Sequence, residues 1–74
     1  MTKLPALTGE RLIKVLSKAG FVELRQRGSH VYLTHNDGRA TVVPVHKGET
    51  IGRGLLKKIL RDTGLSREDL LELM

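Results

Sequence analysis

The sequence predicts a two-layer α+β sandwich: a three-stranded antiparallel sheet with helices on one face. Three observations predict it. The apolar period is helical near the N-terminus, shortens to about two residues over 22–45, and turns helical again from residue 55. The middle stretch is punctuated by Gly28-Ser29 and Asn36-Asp37-Gly38, both tight-turn signals. A chain of 74 residues has room for one domain, read as 1–74, and for one thin core. Short strands joined by turns and followed by amphipathic helices bury their apolar sides by stacking as two layers.

The elements follow in order. Residues 8–20 read as a helix. Thr8 is a good N-cap, because its hydroxyl accepts from an orphan amide of the first turn. Leu7 can staple onto Leu12. Leu12, Val15, Leu16 and Ala19 share the face to be buried, and Lys14 and Lys18 point away. Gly20 supplies a left-handed stop, with Phe21 folding back on Leu16. Val22 and Leu24 then alternate with Glu23, Arg25 and Arg27, the pattern of a half-buried strand. In the second strand, His30 to His35, Val31 and Leu33 share one face while His30, Tyr32 and Thr34 share the other. Ala40 to Val45 makes the third strand. Pro44, which cannot donate to a ladder, marks an edge or the strand's end.

His46 to Gly52 is a polar loop. Leu55, Leu56, Ile59 and Leu60 form the second helical face, which Gly64 stops. Ser66 and Asp69 have capping-box spacing for a short third helix, with Leu65 and Leu70 as its staple. The acidic C-terminal run is therefore read as helix-start chemistry. One sheet face is left free of helices, and the strand register places His30 and Tyr32 on it or at its rim.

Composition narrows the function. A chain this small buries only roughly 60–65% of the surface its unfolded form exposes. With no Cys it has no disulfides, and no Cys/His set fit for a structural zinc. No apolar run approaches the roughly 18–20 residues needed to span a bilayer. Met1 to Pro5 lacks the apolar stretch of a signal peptide, so a cytoplasmic location is expected. A membrane protein, a disulfide scaffold, a multidomain enzyme and a disordered tail are excluded. The net charge of +5 divides into +2 over residues 1–24, +6 over 25–61 and −3 over 62–74. A basic excess in the folded middle points to a polyanionic partner, nucleic acid first. A basic surface without a partner is the plainer alternative.

Several short motifs fall in a fixed order. Gly28-Ser29-His30 opens a strand. Val43-Pro44-Val45-His46-Lys47-Gly48 follows the hairpin, then Gly54-Leu55-Leu56-Lys57-Lys58-Ile59-Leu60 and Thr63-Gly64-Leu65-Ser66-Arg67-Glu68-Asp69. In this order and spacing the chain resembles the HicA family of toxins from bacterial toxin–antitoxin modules, from about Leu7 to Leu71. The resemblance implies a double-stranded-RNA-binding-domain-like fold and a ribosome-independent activity cleaving mRNA. It also implies a HicB-type antitoxin as partner. It assigns catalysis to the histidine of the Gly-Ser-His motif, which is His30.

The residues support that chemistry in their own terms. RNA is cleaved without a metal when a base removes the 2′-hydroxyl proton and the oxygen attacks the adjacent phosphate. An acid must protonate the leaving 5′-oxygen, and cations must stabilise the charged phosphorane. Histidine suits the base, since the ordinary imidazole pKa of about 6.5 lies near working pH. His30 follows a glycine turn and precedes an apolar strand, which holds it better than a loop would. Ser29 can place a phosphate. Arg25 and Arg27, near His30 in sequence, are candidates for contacts at the scissile phosphate. His46 and Lys47 supply the acid or a phosphate cation, or are a solvated loop pair. His35, beside the turn, is read as a surface residue.

Arg53, Lys57 and Arg61, with Lys58 adjacent, form a basic stripe on the second helix. It is either a phosphate track, holding RNA in register without reading sequence, or an ordinary solvated face. Phe21 and Tyr32 are the only aromatics, and Phe21 is assigned to the core. A multi-base stacking platform is therefore not expected.

Two-metal cleavage needs convergent carboxylates, and the central segment offers only Asp37 in a turn and Glu49 in a loop. No metal and no cofactor are therefore expected. No nucleophile elbow supports a Ser/His/Asp hydrolase. The expected function is a metal-independent endoribonuclease toxin with His30 as general base. The alternatives are a non-catalytic RNA-binding module and a protein-interaction domain whose basic face meets an acidic protein.

Overall fold

The computed structural model describes residues 6–74. The Met1–Pro5 segment, read above for a leader, lies outside the described residues. The order is α1 (Gly9–Lys18), β1 (Val22–Arg27), β2 (His30–Thr34), β3 (Ala40–Pro44), α2 (Arg53–Thr63) and α3 (Arg67–Leu73). The strands form one antiparallel sheet in the order β1-β2-β3. This is the α-β-β-β-α arrangement with a short C-terminal helix that the sequence predicts.

The helix ends form for local reasons. Thr8 accepts from the Arg11 N–H at 3.2 Å and starts α1. Ser66 and Asp69 satisfy each other's backbone amides at 3.0 and 2.9 Å, completing the capping box of α3. Gly9, the first residue of α1, lies against β3 so closely that a Cβ there would overlap the Pro44 carbonyl. Only glycine allows that approach. An antiparallel bridge between Thr8 and Thr50, and a 2.7 Å bond from the Ile51 N–H to the Leu7 carbonyl, tie the 46–52 loop to the start of α1.

The core lies between the sheet and the helices. Val31, Leu33 and Val43 project from the sheet. They meet Leu12, Val15 and Leu16 of α1, Phe21, Ile59 of α2 and Leu70 of α3. Thr41 is the fourth buried residue on this sheet face. Among the described residues, no helix lies on the opposite face.

Three sequence expectations are corrected. β1 is exposed along its whole length, with Val22 60% and Leu24 66% exposed. It is an edge strand that the helices do not cover, and a bulge between Glu23 and Arg25 breaks its alternation. On α2 the buried residues are Ile59 and Thr63; Leu56 and Leu60 are half-buried and Leu55 is exposed. The Thr63 hydroxyl bonds back to the Ile59 and Leu60 carbonyls, which lets a polar side chain occupy the interior. His35 is not a plain surface residue. Its ring packs edge-on against Phe21 at 5.1 Å between centroids, and its Nδ1 accepts from the Asp37 N–H at 3.2 Å.

Candidate functional site

The helix-free sheet face is a grid set by strand register. Arg27, His30 and Pro44 form one row across the three strands, Arg25, Tyr32 and Val42 the next, and Val22, Thr34 and Ala40 the third. His30 opens β2 directly after the Gly28-Ser29 turn, where Gly28 has φ of +58°. A positive φ at the first central residue suits glycine in a two-residue hairpin, so the local sequence fixes where His30 emerges. Both flanks of His30 are held: Arg27 pairs with it on β1, and Pro44 on β3. Its side chain is exposed on this face.

Ser29 is half-buried, and its carbonyl accepts from the Val45 N–H at 2.6 Å. That bond carries the pairing one step beyond Pro44 and brings His46 and Lys47 to the His30 end of the sheet. Both are exposed, in a turn closed by the Glu49 N–H donating to the His46 carbonyl at 2.9 Å. The fold thus gathers Arg27, Ser29, His30, His46 and Lys47 at one end. Arg25 is one row further along, its guanidinium 5.0 Å from the centre of the Tyr32 ring.

The basic residues of α2 are placed differently. The helix packs beside β3, on the side of the sheet away from β1. Two inter-strand spacings, roughly 10 Å, separate β1 from β3. Arg53, Lys57 and Arg61 are exposed on one row of α2. Lys58 belongs to another row and pairs with Asp62 at 3.1 Å, so part of its charge is compensated. The two sets of cations therefore flank the sheet instead of forming one line with His30.

A shallow groove of about 300 Å³ crosses the free face from Leu24 on β1, over Tyr32, Thr34, Ala40 and Val42, to Lys58 and Asp62. Sequence reasoning placed Tyr32 on this face but missed the groove. Its far wall comes from α2, distant in sequence, and Leu24 lies at the bulge of β1; the apolar residues Leu24 and Val42, exposed and half-buried respectively, were the only available signal. Among the described residues, no three His, Cys, Asp or Glu side chains gather as a metal site would require. None of the described helices is long and apolar enough to cross a membrane.

Fold and site together define a class: a small basic α+β domain that leaves one sheet face bare and sets a histidine among arginines upon it. The chain belongs to the family of HicA toxins of bacterial toxin–antitoxin systems, whose model matches residues 9–65. The match runs from the start of α1 to just past α2 and includes His30. No curated protein matches the chain.

Proposed function

We propose that this toxin is a metal-independent endoribonuclease that cleaves mRNA in the cytoplasm, with His30 as general base. The observation that carries the reading is the position of His30: exposed on the helix-free sheet face, held by pairing on both sides, with Arg27 as its cross-strand neighbour. A nucleotide laid on this face presents its 2′-hydroxyl to the imidazole. Arg27 and Arg25, with Lys47 from the loop, hold the phosphate and offset charge as the phosphorane forms. Ser29 and His46 complete the set. His46 lies at the same end of the sheet as His30 and is suited to protonate the leaving 5′-oxygen. The basic stripe of α2, Arg53, Lys57 and Arg61, extends the phosphate track for longer RNA.

A HicB-type antitoxin silences the toxin by covering the same basic face. Arg25→Glu then weakens RNA and antitoxin binding together.

The test is cleavage of a defined single-stranded RNA in excess EDTA, with circular dichroism confirming the fold of each protein. Wild type cleaves. His30→Ala, an exposed position, stays folded and loses about 10²–10⁴-fold in rate. Folded His30→Ala that cleaves at the wild-type rate refutes the role of His30. RNA bound but left intact by wild type establishes a non-catalytic RNA-binding module instead.

A further inference from the structure

We infer that the groove beside His30 is a binding site for one unpaired nucleobase of the RNA, with Tyr32 as its stacking residue. The inference rests on the ribonuclease reading and adds the part of the substrate that the reading leaves unplaced.

The groove has the make-up of a base site. Its floor and near wall are mainly apolar: Leu24, the Tyr32 ring, Ala40 and Val42, with Thr34 among them. Its far end is polar, with Lys58 and Asp62 paired at 3.1 Å and Thr41 donating to the same Asp62 oxygen at 3.1 Å. An ammonium donor and a carboxylate acceptor side by side can meet a base edge, which itself carries both donors and acceptors. At about 300 Å³ the groove is at the small end of small-molecule sites, suited to a nucleoside.

Position and charge choose the occupant. Tyr32 follows His30 by two residues on the same strand face, roughly 7 Å along the strand. A base seated on Tyr32 is therefore next to the phosphate that His30 acts on. Arg25 holds the Tyr32 ring through a cation–π contact at 5.0 Å and adds positive charge at the groove's rim, as Arg27 does one row away. An apolar shelf with two arginines along its β1 side fits a base on a phosphate backbone. The exposure of Leu24, at 66%, follows if the side chain waits for a ligand. One ring serves one base, so the site gives a local preference and no extended readout.

Tyr32 is the only tyrosine and the chain has no tryptophan, so intrinsic tyrosine emission reports this ring alone. The experiment uses the full chain carrying His30→Ala, which leaves RNA uncut. It is titrated with a short single-stranded RNA and with an abasic ribose-phosphate chain of equal length. RNA is expected to quench Tyr32 emission, and the abasic chain to bind without doing so. Tyr32→Ala weakens RNA binding by roughly 10- to 100-fold and leaves abasic binding unchanged; Tyr32→Phe retains RNA affinity. Leu24→Ser, at an exposed position that cannot unfold the protein, weakens RNA binding in the same selective way.

RNA affinity unaffected by both Tyr32→Ala and Leu24→Ser overturns the base site and leaves the ribonuclease reading standing. Loss of antitoxin binding with RNA affinity kept overturns it too and gives the groove to the protein partner. Failure of any RNA to bind removes both readings.

Discussion

Arg39 shows how much one side chain can join in a domain this small. Its Nε donates to both Asp37 oxygens, at 3.1 and 2.9 Å, and Nη2 is 2.9 Å from Oδ2. Nη1 donates to the Thr63 carbonyl at the end of α2, and the guanidinium lies 5.2 Å from the centre of the Phe21 ring. One residue thus connects the β2–β3 turn, the end of α2 and the aromatic that closes α1. Arg39→Ala should cost about 1–2 kcal/mol, chiefly from the Thr63 carbonyl left without its donor. For a domain of this size that lowers the melting temperature by roughly 4–8 °C per kcal/mol. A melt unchanged within 1 °C or so, on the same scale, would show the connection to be idle. Arg39 also holds the Asp37 carboxyl below its ordinary value of 3.8, through its side-chain donors first and its backbone N–H second. A depressed carboxylate stabilises the fold above its ordinary pKa, and the contribution is lost as pH falls through the lower folded value. The Asp69 carboxyl, lowered by the Ser66 backbone N–H and then its hydroxyl, behaves in the same way. The stability gap between wild type and Asp37→Asn should therefore be constant at neutral pH and close below about pH 4. Urea midpoints from pH 7 to pH 2 measure it, and a gap that does not change with pH would rule the linkage out.

At the scale of elements, β1 and β2 are neighbours with opposite energetics. Leu33 on β2 is 2% exposed and Leu24 on β1 is 66% exposed. Leu33→Ala should cost about 2–5 kcal/mol, as core truncations do. Leu24→Ser should stay within about 0.5 kcal/mol, as surface changes do. Equal losses in chemical denaturation would mean that β1 is covered after all. The same contrast marks what the sequence discloses. Caps and turns are decided within three or four residues, so Thr8, Ser66 with Asp69, and Asn36-Asp37-Gly38 were legible. The face of His30 was legible because Val31 and Leu33 set the phase of its strand. The exposure of β1 was not, because alternation in Val22 to Arg27 cannot say which strands the helices cover. The bulge was equally hidden, since it is defined against β2. His35 was misread because its partner Phe21 comes from the α1–β1 connection, distant in sequence. The groove needed α2 to reach past β3, a long-range event that no local pattern encodes.

For the whole molecule the question is how the +5 charge is distributed around the free face. Arg25 and Arg27 share rows with Tyr32 and His30, whereas Arg53, Lys57 and Arg61 lie on a helix beyond β3. The two groups therefore engage RNA over different lengths. An oligonucleotide just long enough to cover His30 and Tyr32 reaches the β1 arginines and stops short of the outer row of α2. Each phosphate contact on a single strand adds about 0.7 to the slope of log affinity against log salt. With such a short RNA, replacing Arg25 and Arg27 by Ala should flatten the slope by about 1.4, and replacing Lys57 and Arg61 should leave it unchanged. With an RNA several times longer, the Lys57 and Arg61 pair should also flatten it by about 1.4, because the strand now crosses α2. Binding measured by anisotropy on His30→Ala at four or five salt concentrations separates the cases. If the α2 pair matters equally for both lengths, the stripe belongs to the cleavage site itself. If it matters for neither, it is a solvated face, and the affinity of the toxin for RNA rests on the sheet alone.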